Sequence, residues 1–415
     1  MSHGATGQST SQHSPHAPGS AQSAKPAKNS APRGWLAVAG LTLGVFSFVT
    51  TETLPIGLLP SIADGTSMSV GAAGFLVTGF AMVAAATAAP LTMLTSRMDR
   101  KWLLATLMVF YIAGNALAMV ASTYALLLAA RIIVALAHGV FWSIAVSIAV
   151  RLVPEQHAVR ATSVVLGGIS LASVAGTPLG TAIGQSTSWH VAFACVALLG
   201  VPVLAAAVLF TPTLPAQGSG NLRTLLHVLR HRTLLAAIGV TALVMSGHFL
   251  AFTYVTPYLE EVTGVRPSLI SVLLLVFGVA GLVGNFAAGA VVAHALRGSL
   301  IGSSGLLGVV LAVMWAGGAS TPLAVTMLVC WGVLYAALPV ALQTWVLQAV
   351  PEKSEAASSW YVAAFNGAIG VGALIGGLLT NASGQRPTML VAAVFAAGAT
   401  ALAVLCGRDS VRRRD

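Results

Sequence analysis

Apolar runs of about 20 residues recur along this chain from Trp35 to Cys406, each broken from the next by a short polar turn. Twelve can be marked off. The first six lie at approximately 35–60, 71–95, 102–122, 125–150, 161–186 and 189–211. The second six lie at approximately 233–258, 267–293, 299–317, 321–348, 356–381 and 387–406. Lipid offers no partner for backbone N–H and C=O groups, so runs of this length are predicted to be helices. The longest internal connection, 212–232, carries Pro212, Pro215, Gly218 and Gly220 and then Arg223, Arg230 and Arg232. It reads as a cytoplasmic linker between two halves. The pattern therefore predicts an all-α integral membrane protein with twelve transmembrane helices in two six-helix bundles, 34–211 and 233–407. A glycine-rich stretch in the fifth run, Gly176 to Gly180, has a loose counterpart in the eleventh, Gly370 to Gly377. Matching positions in two halves are where transporter pseudo-symmetry places them.

Composition sharpens the picture. The 415 residues are 57% hydrophobic and only 7% charged, against about 25% charged in an ordinary soluble domain. A net charge of +10 raises nucleic acid as a partner, but the basic residues are spread over many loops. With both termini cytoplasmic, 17 of the 20 Lys and Arg fall inside, Arg266 and Arg386 fall outside, and Arg131 lies within a span. That asymmetry is what the positive-inside rule expects. The orientation predicted is thus a multi-pass membrane protein with both termini cytoplasmic and no nucleic-acid partner.

Residues 1–33 are rich in Ser, Ala, Pro, Gly and His and lack the apolar stretch of a signal peptide, so a disordered cytoplasmic tail is expected. His3, His13 and His16 have no accompanying Cys or acid, and no metal is expected there. Residues 408–415 form a basic cytoplasmic tail whose Arg412, Arg413 and Arg414 suit an anionic leaflet. Cys195, Cys330 and Cys406 all fall in apolar runs and read as packing residues.

Glu52 is the one acid inside an apolar run. A carboxylate at such depth is costly unless paired, protonated or facing a watery cavity, so its default reading is functional. Arg131, in the fourth run, sits at similar depth, and the two form a candidate proton-coupling pair; a static ion pair that only fixes packing is the alternative. His138 follows Arg131 by two helical turns on much the same face, and His248 reaches a comparable depth in the seventh run. Imidazole can bond a substrate hydroxyl or relay a proton; an interhelical hydrogen bond is the plainer use. Trp142, Tyr254, Gln343 and Asn366 complete the candidate substrate-binding set, while Tyr258, Trp360 and Tyr361 read as interfacial anchors. Gly176, Pro178 and Gly180, with Gly184, would let the fifth helix bend and approach a neighbour. Arg97, Arg100 and Lys101, around Asp99, form a charged inner turn after the second run, a candidate conformational element. Nothing has the Gly-rich, Lys-containing pattern of a phosphate-binding loop, and no cofactor or catalytic constellation is expected.

These residues resemble the major facilitator superfamily, specifically bacterial sugar efflux transporters of the drug/proton antiporter type. The resemblance rests on Thr50-Thr-Glu-Thr53 with Gly57-Leu-Leu59, Ala137-His-Gly-Val-Phe-Trp-Ser143, and Gly176-Thr-Pro-Leu-Gly180 with Gly184-Gln185. His248 followed by Tyr254 and Pro257, and Phe365-Asn-Gly367 with Gly370 and Gly372, add to it. The turn after the second run keeps the basic part of the superfamily motif, with Thr92 and Ser96 where relatives have Gly and Asp. The resemblance implies a non-enzymatic antiporter of the bacterial inner membrane that exports a small molecule, a sugar such as arabinose, against protons moving inward, with Arg131 as the fourth-span motif arginine; a monomer is expected. An exporter of drugs, nucleosides or other metabolites is the alternative within that machinery. A membrane sensor without transport is the alternative outside it.

Overall fold

A computed structural model describes residues 31–215 and 226–411. The expected tails at 1–30 and 412–415, and positions 216–225 of the expected linker, lie outside the described residues. Twelve helices are long and apolar enough to span a bilayer: α1 Pro32–Thr66, α2 Val70–Ala88, α3 Arg100–Met119, α4 Tyr124–Arg151, α5 Glu155–Ser186 and α6 Trp189–Phe210 in the first half. The second half holds α7 Arg232–Phe252, α8 Pro267–Ala287, α9 Ala295–Gly317, α10 Thr321–Ala349, α11 Ala357–Ser383 and α12 Arg386–Cys406.

Among the boundaries that depart from the hydropathy pattern, two involve proline. Helix α1 continues past Pro60 to Thr66, since proline is tolerated inside membrane helices. The seventh run, expected to continue to 258, breaks after Phe252 and resumes as a short helix, Val255–Glu261. Pro257 has no N–H for the Thr253 carbonyl and its ring clashes there, so the chain turns at Thr253 and Tyr254. In α5 the same difficulty, from Pro178, is absorbed by a π-helical turn at Ala172–Gly176.

The buried apolar side chains form two cores, one built almost wholly from α1–α6 and one from α7–α12. The exceptions mark where the bundles meet. Tyr254 belongs to the first core, while Ile56, Val77 and Ala81 belong to the second.

Within each bundle one close helix pair repeats. On α5, a methyl group added at Gly176, Gly180 or Gly184 would overlap Thr50, Leu54 or Leu58 of α1. On α11, the same addition at Gly372 or Gly376 would overlap Ser246 or Leu250 of α7. Every one of these second-half positions lies 196 residues after its first-half partner, from Thr50 to Ser246 and from Gly176 to Gly372. The two halves thus carry one packing register, small residues spaced by four letting backbones approach. The sequence comparison of Gly176–Gly180 with Gly370–Gly377 was two residues loose, and contact geometry fixes it.

That register has a consequence at depth. Glu52 on α1 and His248 on α7 are also 196 residues apart, so the acid of one bundle and the histidine of the other occupy equivalent places. Likewise Tyr335 stands as far into α10 as His138 stands into α4.

Candidate transport site between the bundles

Arg131 is fully buried, and its partners are two backbone carbonyls and, at 3.4 Å, the Thr51 hydroxyl. Its Nη1 donates to the Thr51 carbonyl, and its Nη2 to the Glu52 carbonyl at 3.3 Å. The cause lies four residues downstream, at Pro55, which has no N–H to give the Thr51 carbonyl. A carbonyl orphaned in an apolar core needs a donor, and a guanidinium carries five. The Phe80 ring lies 4.3 Å beneath the guanidinium carbon and shares its charge. Thr51 is held in turn by a 2.6 Å bond from its hydroxyl to Asn115, whose amide donates to the Tyr111 carbonyl at 2.9 Å.

The Glu52 carboxylate is not Arg131's hydrogen-bond partner. Its contact is His138, with Nε2 to Oε2 at 3.8 Å, the one ion-pair-range contact among the described residues. His138 is 2% exposed and Glu52 16% exposed, so the carboxylate keeps a narrow opening while the imidazole has none. Phe48, Phe80 and Trp142 present ring edges or faces to His138 at 5.0–6.1 Å. Its Nδ1 has no partner among the described residues. The sequence reading paired Glu52 with Arg131 and assigned His138 and Trp142 to substrate; the structure brings His138 to the acid and sets Arg131 behind it on the backbone.

The second bundle answers with aromatic rings. His248 is fully buried, stacked on Tyr335 at 3.5 Å and beside Phe252 at 5.1 Å. Trp331 donates its indole N–H to His248 Nδ1 at 3.0 Å. Phe249, Phe277 and Phe365 extend the cluster. Tyr335 belongs to α10 and Glu52 to α1, so this wall and the acid stand in different bundles. Trp331, Tyr335, Phe249, Phe252 and Phe277 were missed by sequence reasoning, since aromatic residues in apolar runs carry no mark of which ones converge; Phe365 was marked only as part of a motif.

The remaining candidates are placed as follows. Gln343 donates its amide to Ser358 at 3.0 Å, a bond between α10 and α11. Asn366 donates to the Val362 carbonyl of its own helix at 3.0 Å. Tyr254 was expected to touch substrate, but it is fully enclosed and donates to Ala373 at 3.0 Å and to the Gly71 carbonyl at 3.4 Å. Gly74 on the α2 side, and Gly376 and Gly377 on α11, leave the space its ring fills. Tyr254 is therefore a knob in a socket shared by both bundles. Gly176 and Gly180 line the α1–α5 contact, with Pro178 behind the π turn and the Thr53 and Thr177 hydroxyls bonded at 2.6 Å beside them. In the charged turn, Asp99 caps α3 by accepting from the Lys101 N–H at 2.9 Å. Arg100 donates to Thr95 at 3.4 Å, its backbone N–H donates to Leu214 at 2.9 Å, and Arg97 is exposed.

The profile of the Major Facilitator Superfamily matches residues 41–366. Among solved structures, the chain is similar to a bacterial homolog of the human lysosomal transporter Spinster in an inward-facing, unoccupied conformation. The TM-score is 0.73 at 17% identity, covering 91% of this chain and 97% of that one. The occupied form of that protein gives a TM-score of 0.73 at 18% identity, covering 92% and 98%. The human organic anion transporter MFSD10 (TETRAN) gives 0.66 at 15% identity, covering 89% and 99%. With twelve spanning helices in two bundles of one register and a family match over most of its length, this membrane transport protein belongs to the major facilitator superfamily.

Proposed function

We propose that the chain is a proton-coupled exporter of small amphipathic organic compounds that carry an aromatic or other flat apolar face. The observation that carries this reading is the opposition of one buried carboxylate, Glu52 beside His138, to a wall of stacked rings around His248 and Tyr335. Flat apolar surface packs on such rings, and the carboxylate is a single exchangeable charge in a setting where charge is costly. Glu52 takes a proton from outside and releases it inside, and substrate moves outward in the other half of the cycle. Arg131 holds the α1 backbone that carries the acid, and His138 is the imidazole placed to receive or return its proton. With both termini cytoplasmic, in a bacterial inner membrane, the Tyr254 socket closes the outer side. The domain limits are 34–211 and 233–407, with one chain as the working unit.

Sugar efflux is the second reading, favoured by the resemblance around Thr50–Thr53 and by half-buried Trp142, Gln343 and Asn366. Both amides already donate within their own bundle, which leaves less polar capacity for a polyhydroxylated ligand. The separating experiment is flux in proteoliposomes with and without an imposed pH gradient, using rhodamine 6G, tetraphenylphosphonium and labelled arabinose. Gradient-driven flux of the aromatic cations with none of arabinose is expected. Arabinose flux alone would establish the sugar reading, and flux indifferent to the gradient would contradict proton coupling.

A further inference from the structure

The ring of His248 is held so that only one of its protonation patterns fits. Trp331 Nε1–H reaches His248 Nδ1 at 3.0 Å, and an indole nitrogen can only donate. Nδ1 must therefore be the bare nitrogen, because a proton there would set two donors against each other. The single imidazole proton then resides on Nε2. That atom is enclosed and has no partner among the described residues, while Tyr335 and Phe252 stack along the ring and hold it in plane. A buried N–H with no acceptor is a cost that a native site bears where a ligand supplies the missing atom. Its position is equivalent to that of Glu52 in the other bundle, so the two halves offer opposite hydrogen-bonding character, an acceptor carboxylate and a donor imidazole.

We propose that Trp331 is a positioning residue that fixes His248 as an Nε2–H donor, and that this donor makes the site select substrates bearing a hydrogen-bond acceptor, such as a carbonyl or ester oxygen, on a flat apolar body. This rests on the exporter reading above and narrows its substrate class. The donor is uncharged, so selection follows the acceptor and is independent of the ligand's net charge.

The test uses the full chain in lipid nanodiscs with ¹⁵N-labelled histidine. Rhodamine 6G, which has an ester acceptor, and tetraphenylphosphonium, which has no acceptor, are the two probes. In the native protein the His248 resonance is expected to show a protonated Nε2 and a bare Nδ1. In Trp331→Phe, which keeps an aromatic ring in place, a mixture of tautomers is expected. The affinity for rhodamine 6G relative to tetraphenylphosphonium should fall about tenfold, the worth of one well-placed hydrogen bond. A native His248 protonated at Nδ1, an unchanged tautomer in Trp331→Phe, or a tautomer shift with an unchanged affinity ratio would each overturn the proposal. Native protein that binds neither probe but shows the expected tautomer overturns the substrate class and with it the role in selection. Native protein that binds both but shows the wrong tautomer overturns this inference alone. Melting curves of the two proteins establish that Trp331→Phe is folded.

Discussion

At the scale of single residues, the account turns on a proline. Pro55 removes the N–H that would have satisfied Thr51, and Arg131 crosses from α4 to supply a donor. Replacing Arg131 by Leu should cost about 1–3 kcal/mol, the penalty of a buried carbonyl left without a partner. The measurement is the melting temperature in detergent. Pro55→Ala restores the missing N–H, so adding it to Arg131→Leu should recover a large part of the loss, a coupling that a double-mutant cycle reads directly. Additive effects of the two changes would show that Arg131 does not act through this carbonyl. Glu52 was legible in the sequence because it is a lone acid in an apolar run. The brace was not, because it depends on which carbonyl the proline frees and which helix passes beside it.

At the scale of elements, the sequence signals were strongest where one force decides. Lipid dictates helix, so all twelve runs were readable, while their ends moved, as at Pro257 and at the start of α5. Helix pairing was less readable, because four-residue spacing of glycines on α5 and α11 does not name the partner face. The structure names it, and it also sets the Tyr254 ring in a glycine-lined socket where the two bundles meet. Removing its hydroxyl in Tyr254→Phe keeps the ring in the socket and loses the one proton shared between carbonyls on different bundles. A modest shift toward the form open on this side is expected. Gly74→Leu places a side chain where the Tyr254 ring lies, and should hold that side open. Spin-label distances across α2 and α11 report both. Equal distances in native protein and Gly74→Leu would show that the socket does not govern closure.

At the scale of the whole molecule, one further titratable group lies close to the boundary between the bundles. Glu260, half-buried in the short helix after α7, is pushed above the ordinary carboxylate range by burial first and then by the charges of Glu261 and of Asp64 on α1. The closed arrangement therefore binds this proton more tightly than an opened, solvated one. Its stabilisation is fully present below the ordinary carboxylate value and is lost as pH rises through the raised one. Acidification should favour closure on the Tyr254 side, and Glu260→Gln should flatten that dependence in the same spin-label measurement. An unaltered pH profile in Glu260→Gln would contradict it. The two-bundle plan was legible from six plus six runs and the connection at 212–232. The opposition of an acid in one half to a histidine among rings in the other was not, because it appears only when the 196-residue register is set by contacts.

The most direct test of the central claim is uphill transport of rhodamine 6G by native protein and Glu52→Gln, reconstituted side by side under an imposed pH gradient and in substrate exchange without one. The account predicts that native protein accumulates the dye against its gradient, and that Glu52→Gln exchanges dye but does not accumulate it. Full pH-driven accumulation by Glu52→Gln, at equal incorporation, would contradict the assignment of Glu52 as the coupling acid.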